Sequence, residues 1–177
     1  MSNGETIKMV QHPLEPPDTH FFDAAIGWIG LGCFAEARAE LERISAEHQT
    51  DSDVLDVRWI ACAKMQDWAA ALAVGQQLVE AAPDLASGWL HRAYAARRAP
   101  GGSLQAAWDW LMPAAERFPK EVLVRFNLAC YACQMQRLDE ARQWLERAFQ
   151  IGGKADIKVQ ALLDDDLQPL WEEIEKM

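Results

Sequence analysis

From Thr19 onward apolar residues recur at helical spacing, with polar and charged residues filling the positions between them. The period predicts helices in antiparallel pairs: 19–31 with 34–47, 52–65 with 68–81, 86–98 with 103–117, and 121–135 with 138–150. The expected stops fit that scheme. Gly32 breaks the first helix, Pro83 and Pro119 close the second and third pairs, and Gly152-Gly153 closes the fourth. Asp67 and Asp139 stand where a short carboxylate caps or favours a helix N-terminus. Lys154 to Leu163 reads as one more helix. Asp164-Asp165-Asp166 then supplies capping carboxylates for a last helix carrying Leu167, Leu170, Trp171 and Ile174.

The pairs are copies of one unit. Ala37, Ala71, Ala107 and Ala141 recur at spacings of 34, 36 and 34, and a large apolar residue (Phe34, Trp68, Leu104, Leu138) sits three places before each. A period of this length marks a solenoid of stacked helix pairs. The small residue belongs where one helix crosses its partner, because only a small side chain lets the backbones approach to about 8–10 Å. Each pair has an apolar face that it cannot bury alone, so stacking supplies the core.

These columns resemble the tetratricopeptide repeat family from Thr19 to Gly153. The fourth repeat carries the resemblance best, with Asn127-Leu128-Ala129 and Leu138-Asp139-Glu140-Ala141 followed by Leu145 and Ala148. The second adds Trp68, Ala71, Leu78 and Pro83. The first adds Trp28, Gly32, Phe34, Ala37, Leu41 and Ile44, and the third opens with Trp89. The resemblance implies an all-α fold, a right-handed α-solenoid of antiparallel helix pairs. The division expected is an N-terminal proline-containing arm over 1–18, four helix pairs over 19–153 and a capping segment over 154–177. In the arm, Leu14 is the one obvious anchor.

Three departures stand out. The two extra residues of the third repeat fall at Ala99-Pro100-Gly101-Gly102 and predict a longer connection. Pro113 predicts a kink inside its helix. Trp59 stands in a column held elsewhere by Ala25, Ala93 and Ala129, and Gly75, where other repeats have leucine, is expected to make room for it.

Charge and candidate chemistry change this picture little. A formal charge of -10 opposes nucleic-acid binding, which needs a basic patch. No stretch is long and apolar enough to cross a membrane, and no signal peptide is evident, so a cytoplasmic protein is expected. Cys33, Cys62, Cys130 and Cys133 form no dense disulfide framework. The Cys130-x-x-Cys133 pair lies on one helical face with no second pair to complete a zinc site, and reads as packing or groove lining. His12, His20, His48 and His91 show no metal spacing. Ala99 to Ser103 reads as a connector rather than an anion site, and the Asp164–Asp166 run as a helix cap rather than a cation site. No nucleophile elbow or phosphate loop is present, so no catalysis, cofactor or metal is expected. Arg58 and Arg92, spaced by 34, predict an ion-pair ladder with Asp23 and Asp56, or alternatively a hold on an acidic ligand.

In the family resembled, the first helix of each repeat lines a concave groove for a peptide or partner helix. That implies groove positions at Phe22, Ile26, Asp56, Ile60, Leu90, Tyr94, Arg97, Arg98, Phe126, Asn127 and Cys130. Phe22 and Ile26 replace the lysine and asparagine of repeats that clamp chaperone tails, which argues against that ligand. An apolar strip with Arg97 and Arg98 at one side suits an amphipathic partner segment with an acidic flank. The function expected is a non-catalytic protein–protein interaction scaffold. Alternatives are a self-associating homodimer module, or a secretion-type chaperone. The strip also suits two further occupants, the N-terminal arm or the C-terminal cap of a second copy.

Overall fold

The computed structural model describes residues 14–176, so most of the predicted arm lies outside the described residues. Ten α-helices occur among them: α1 (Asp18–Gly30), α2 (Phe34–Glu42), α3 (Ser52–Lys64), α4 (Trp68–Ala81), α5 (Ala86–Ala96), α6 (Leu104–Arg117), α7 (Val122–Gln134), α8 (Leu138–Gly152), α9 (Lys154–Leu162) and α10 (Trp171–Lys176). Short 3-10 turns cover Ala46–His48 and Asp165–Leu170, and no strand occurs among the described residues.

Each helix from α1 to α8 packs against the next. The odd-numbered helices also touch in series, α1 with α3, α3 with α5 and α5 with α7, while the even-numbered ones make no comparable contacts. The odd helices therefore line the tighter, concave surface of the solenoid. The four ladder alanines are fully buried at the crossings, as are Ala25, Ala93 and Ala129 one face away. The core falls into three apolar clusters. One lies around α1 to α3, a second between α3 and α5, and the largest runs from α5 to the C-terminal segment.

The turns within the pairs share a device. Gly32, Gln66 and Gln136 each stand two residues past the end of a first helix in the left-handed region, at φ 76°, 58° and 62°. In the longer third connection this role falls to Gly101, at φ 74°. A Cβ on the neighbouring Gly102 would meet the Ala96 carbonyl oxygen at 2.0 Å, so no larger residue fits there. Asp67 caps α4 by accepting from the Ala70 N–H (3.2 Å), and Ser103 caps α6 by accepting from the Ala106 N–H (3.0 Å). With its first turn closed by Ser103, the Ala99–Ser103 segment is a connector.

Three expectations need correction. The second helix stops at Glu42 rather than 47. The Gln49 amide donates to the carbonyls of Leu41 (2.9 Å) and Ile44 (2.5 Å), and the Asp18 carboxylate accepts from the Ser45 N–H (3.0 Å) and hydroxyl. These side chains offer the backbone what another helical turn would have offered. α6 is continuous through Pro113, and the Trp110 carbonyl of this helix accepts from Arg92 (3.1 Å). Gly75 makes room not for Trp59 but for the α5 backbone: an added Cβ would lie 2.8 Å from the Arg92 nitrogen. The expected ion-pair ladder is also absent among the described residues. Arg58 donates to the Gln49 carbonyl (3.0 Å) and side-chain oxygen. Arg92 donates to Gln76 (3.1 Å) and lies between the rings of Trp89 and Trp110.

The predicted last helix forms in two parts, a 3-10 turn through Pro169 and then α10. The Asp164 carboxylate accepts from the Asp166 N–H (3.0 Å), the capping role expected of the acidic run. Leu167, Leu170 and Ile174 are buried in the largest cluster.

Candidate functional site

The C-terminal segment packs on one end of the concave surface, and an aromatic group lies over α3 and α5. At that end the turn Asp165–Leu170 packs on α7. Arg97, at the end of α5, holds Asp166 through both terminal nitrogens, at 2.5 and 3.1 Å. Gln134 donates to the Asp166 carbonyl (2.9 Å). Burial opposes the charge on Arg97, but its hydrogen bonds to Asp166 prevail, and its pKa stands above the ordinary value. Phe126 and Cys130 are buried in the cluster beneath this segment, at 7% and 3% exposure. Cys133 is fully buried beside them, and all four cysteines are free thiols.

Cys130, Asp164 and Asp166 bring their sulfur and oxygens within 4.8 Å of one another. That geometry is accounted for without a cation. Asp166 belongs to Arg97, Asp164 caps the turn, and burial drives the Cys130 thiol well above its usual pKa, which keeps it protonated.

The aromatic group is carried mainly by α3 and α5. Trp59 stacks flat on His91, with ring centroids 3.8 Å apart and planes 5° from parallel. Tyr94 meets Trp59 edge-on at 6.0 Å and Trp68 at 5.9 Å. The Arg98 guanidinium lies 3.5 Å from the centre of the Tyr94 ring and 5.4 Å from that of Trp68, and donates to the Tyr94 carbonyl (3.0 Å). Burial lowers the pKa of Arg98, and no carboxylate among the described residues pairs with it. Ile60 packs half-buried against this aromatic group. Asp56 lies 3.2 Å from His91, yet its Oδ1 is buried without a hydrogen-bond partner, as is the Trp59 indole N–H.

The other predicted positions flank this group. Phe22 is buried in the first cluster beside Leu14, with Ile26 packed half-buried against it. Leu90 packs against the largest cluster, and Asn127 turns its amide back to the Leu123 carbonyl (2.9 Å). Trp59 and Trp68 were not among the predicted groove positions, although the exceptional tryptophan in an alanine column was the available signal. Asp166 left no local signal, since it meets Arg97 across 69 positions of sequence.

The arrangement of paired helices superimposes on known solved structures. TTC0263, a thermophilic protein of Thermus thermophilus, superimposes with a TM-score of 0.68 at 19% identity, over 89% of this chain and 82% of that one. This is the tetratricopeptide-repeat fold. The same fold is seen in MamA RS-1, as an ArsTM double mutant, with a TM-score of 0.68 at 15% identity over 81% of this chain and 79% of that one. MamA AMB-1 superimposes with a TM-score of 0.62 at 20% identity over 90% and 91%. No family model matches the sequence, and no curated protein matches it either. Among the described residues no helix is long and apolar enough to cross a membrane.

Proposed function

We propose that this chain is a non-catalytic protein–protein interaction scaffold of the cytoplasm, which receives an apolar segment of a partner protein on the concave surface of α3 and α5. The observation that carries this reading is the Trp59–His91–Tyr94–Arg98 group. It holds a buried Trp59 against the partly buried rings of His91 and Tyr94, fixed by stacking, on the concave helices. Rigid aromatic and arginine side chains of this kind supply most of the affinity in protein interfaces. Arg98 favours a partner with an acidic residue beside its apolar ones, because a desolvated guanidinium keeps donors for a carboxylate. Phe22, Ile26, Leu90 and Asn127 extend the surface on either side. Phe126, Cys130 and Arg97 serve it indirectly, by holding the C-terminal turn that bounds it.

The experiment is capture from native lysate with wild-type bait beside an Ile60→Asp, Tyr94→Asp variant shown to fold. A protein retained by the wild type and lost by the variant supports the groove. Identical captures reject it. A second reading, self-association, is favoured by Val159 and Leu163, apolar residues of the C-terminal segment that are 59% and 79% exposed. Sedimentation over a range of concentrations separates the two.

A further inference from the structure

On the outer side of the solenoid the even-numbered helices stand apart, and between α2 and α4 they leave a cleft floored by α3. Its volume is about 290 Å³, at the lower end of pockets that hold small molecules. We propose that this cleft is a binding site for a small monocarboxylate with a short apolar tail. It lies away from the concave face and is independent of the groove.

Two guanidiniums supply the charge, Arg58 from the floor and Arg38 from the α2 wall. Arg58 donates from one terminal nitrogen to the Gln49 carbonyl (3.0 Å) and from the other to the Gln49 side-chain oxygen. A guanidinium carries five N–H donors, so the Arg58 Nε–H and one N–H on each terminal nitrogen stay unspent among the described residues. Arg38 donates once, to Asp67 (3.2 Å), whose other oxygen caps α4. Burial lowers the Arg58 pKa, and the charge of Arg38 nearby acts in the same direction, against the pull of Glu42. An anion seated between the two arginines relieves both costs.

The walls set the class of ligand. Cys62 and Val74 are buried and apolar, and Ala73 is small, which leaves room for a short hydrocarbon tail. Burial raises the Cys62 pKa, so the thiol stays protonated and adds no charge. Glu42 is exposed at the mouth and repels a second negative charge, which selects a monocarboxylate over a phosphate dianion or a diacid.

The next repeat holds the same place closed. Arg92 stands 34 positions after Arg58, and Trp110 stands three past Ala107 as Val74 stands three past Ala71. There the Trp110 ring lies 5.1 Å from the guanidinium and the Trp89 ring 5.0 Å, while the Trp110 carbonyl and Gln76 each accept from it at 3.1 Å. Arg92 is thus covered by its own chain. At Arg58 a valine replaces that tryptophan, no ring covers the guanidinium among the described residues, and the space stays free for a guest.

The test follows amide shifts of the full chain during titration with butyrate at constant ionic strength. Saturable shifts at Cys62 and Ala73 are expected, with none from butyramide, which keeps the shape without the charge, and weaker ones from phosphate. Arg38→Gln should weaken binding about tenfold, the loss of a charge-assisted hydrogen bond. Ala73→Phe should abolish it by filling the cleft from an exposed wall, with the melting temperature unchanged. Arg58 is left in place, because its hold on Gln49 helps to close the end of α2. Shifts that never saturate, equal shifts from butyramide, or binding that survives Ala73→Phe or Arg38→Gln undiminished overturn the proposal. Stronger binding of phosphate than of butyrate overturns it as well. So do shifts from an acetylated tetrapeptide with a free carboxyl terminus but not from butyrate, since the guest is then the end of a chain.

Discussion

Arg97 and Asp166 join the third helix pair to the C-terminal turn through two parallel hydrogen bonds of 2.5 and 3.1 Å. Neither residue is more than about a quarter exposed in its side chain (17% and 26%), so the pair is only partly screened by water. Asp166→Asn leaves the guanidinium with a weaker acceptor at a site already desolvated. Hydrogen bonds to charged groups are worth about 1.5–3 kcal/mol, and a loss in the lower half of that range is expected. Urea unfolding measures it. Hydrogen exchange should quicken first at 165–176, ahead of α3 and α4.

Gly75→Ala should destabilise by about 1–3 kcal/mol, the usual cost of overpacking a closed core. The added carbon would press on the Arg92 backbone at 2.8 and 2.9 Å, and backbone cannot rotate away as a side chain can. A melting temperature equal to that of the wild type would refute the close approach of α4 and α5.

Ala71→Glu should leave no folded array. Ala71 is fully buried where α3 meets α4, and an unpaired carboxylate there costs several kcal/mol, a large part of the roughly 5–15 kcal/mol that holds a domain together. Far-ultraviolet circular dichroism decides the matter.

Gln66→Gly and Gln136→Gly should each stabilise by up to about 1 kcal/mol. A side chain in the left-handed region costs about 1–2 kcal/mol, and relief of that strain outweighs the added freedom of an unfolded glycine. Gly32 already stands at the equivalent place in the first pair. Thermal melts of the single and double variants check the sign and the additivity.

The pH dependence of the first pair has two opposite limbs. Hydrogen bonds from Ser45 hold the Asp18 carboxyl below its ordinary pKa, so its contribution is present above the unfolded value near 3.9 and is lost as pH falls through the lower folded value. The Asp51 hydrogen bond raises the His48 pKa, so its contribution is present below the unfolded value near 6.5 and is lost as pH rises through the higher folded value. Accordingly His48→Gln should cost stability at pH 5 and nothing at pH 9, while Ser45→Ala should cost it at pH 7 and progressively less in acid.

What the sequence revealed was whatever repeats. The ladder from Ala37 to Ala141 reports helix crossings because each crossing imposes the same steric demand, and Asp67 reports a helix start through a contact three residues away. The alternative partners of Arg58 and Arg92 were not legible. A guanidinium finds a backbone carbonyl or an indole face as readily as a carboxylate, and spacing does not distinguish them. The early end of α2 depended on Gln49 and Asp18 reaching across the pair, and Gly75 on which neighbour came nearest. The choice of the first helix of each pair for the candidate site came from the family resemblance together with the helical period. The site's aromatic centre did not, because Trp59 and His91 come together only once α3 and α5 are side by side.

The C-terminal turn also sets a length. With the turn packed on α7, the concave surface of α1, α3 and α5 spans about three helices, or roughly 25–30 Å at ordinary interaxial spacing. An extended segment of about eight residues fills that distance. On the proposed reading, a longer one would have to bend away or finish where Asp166 stands, so the turn would limit the length of a guest segment.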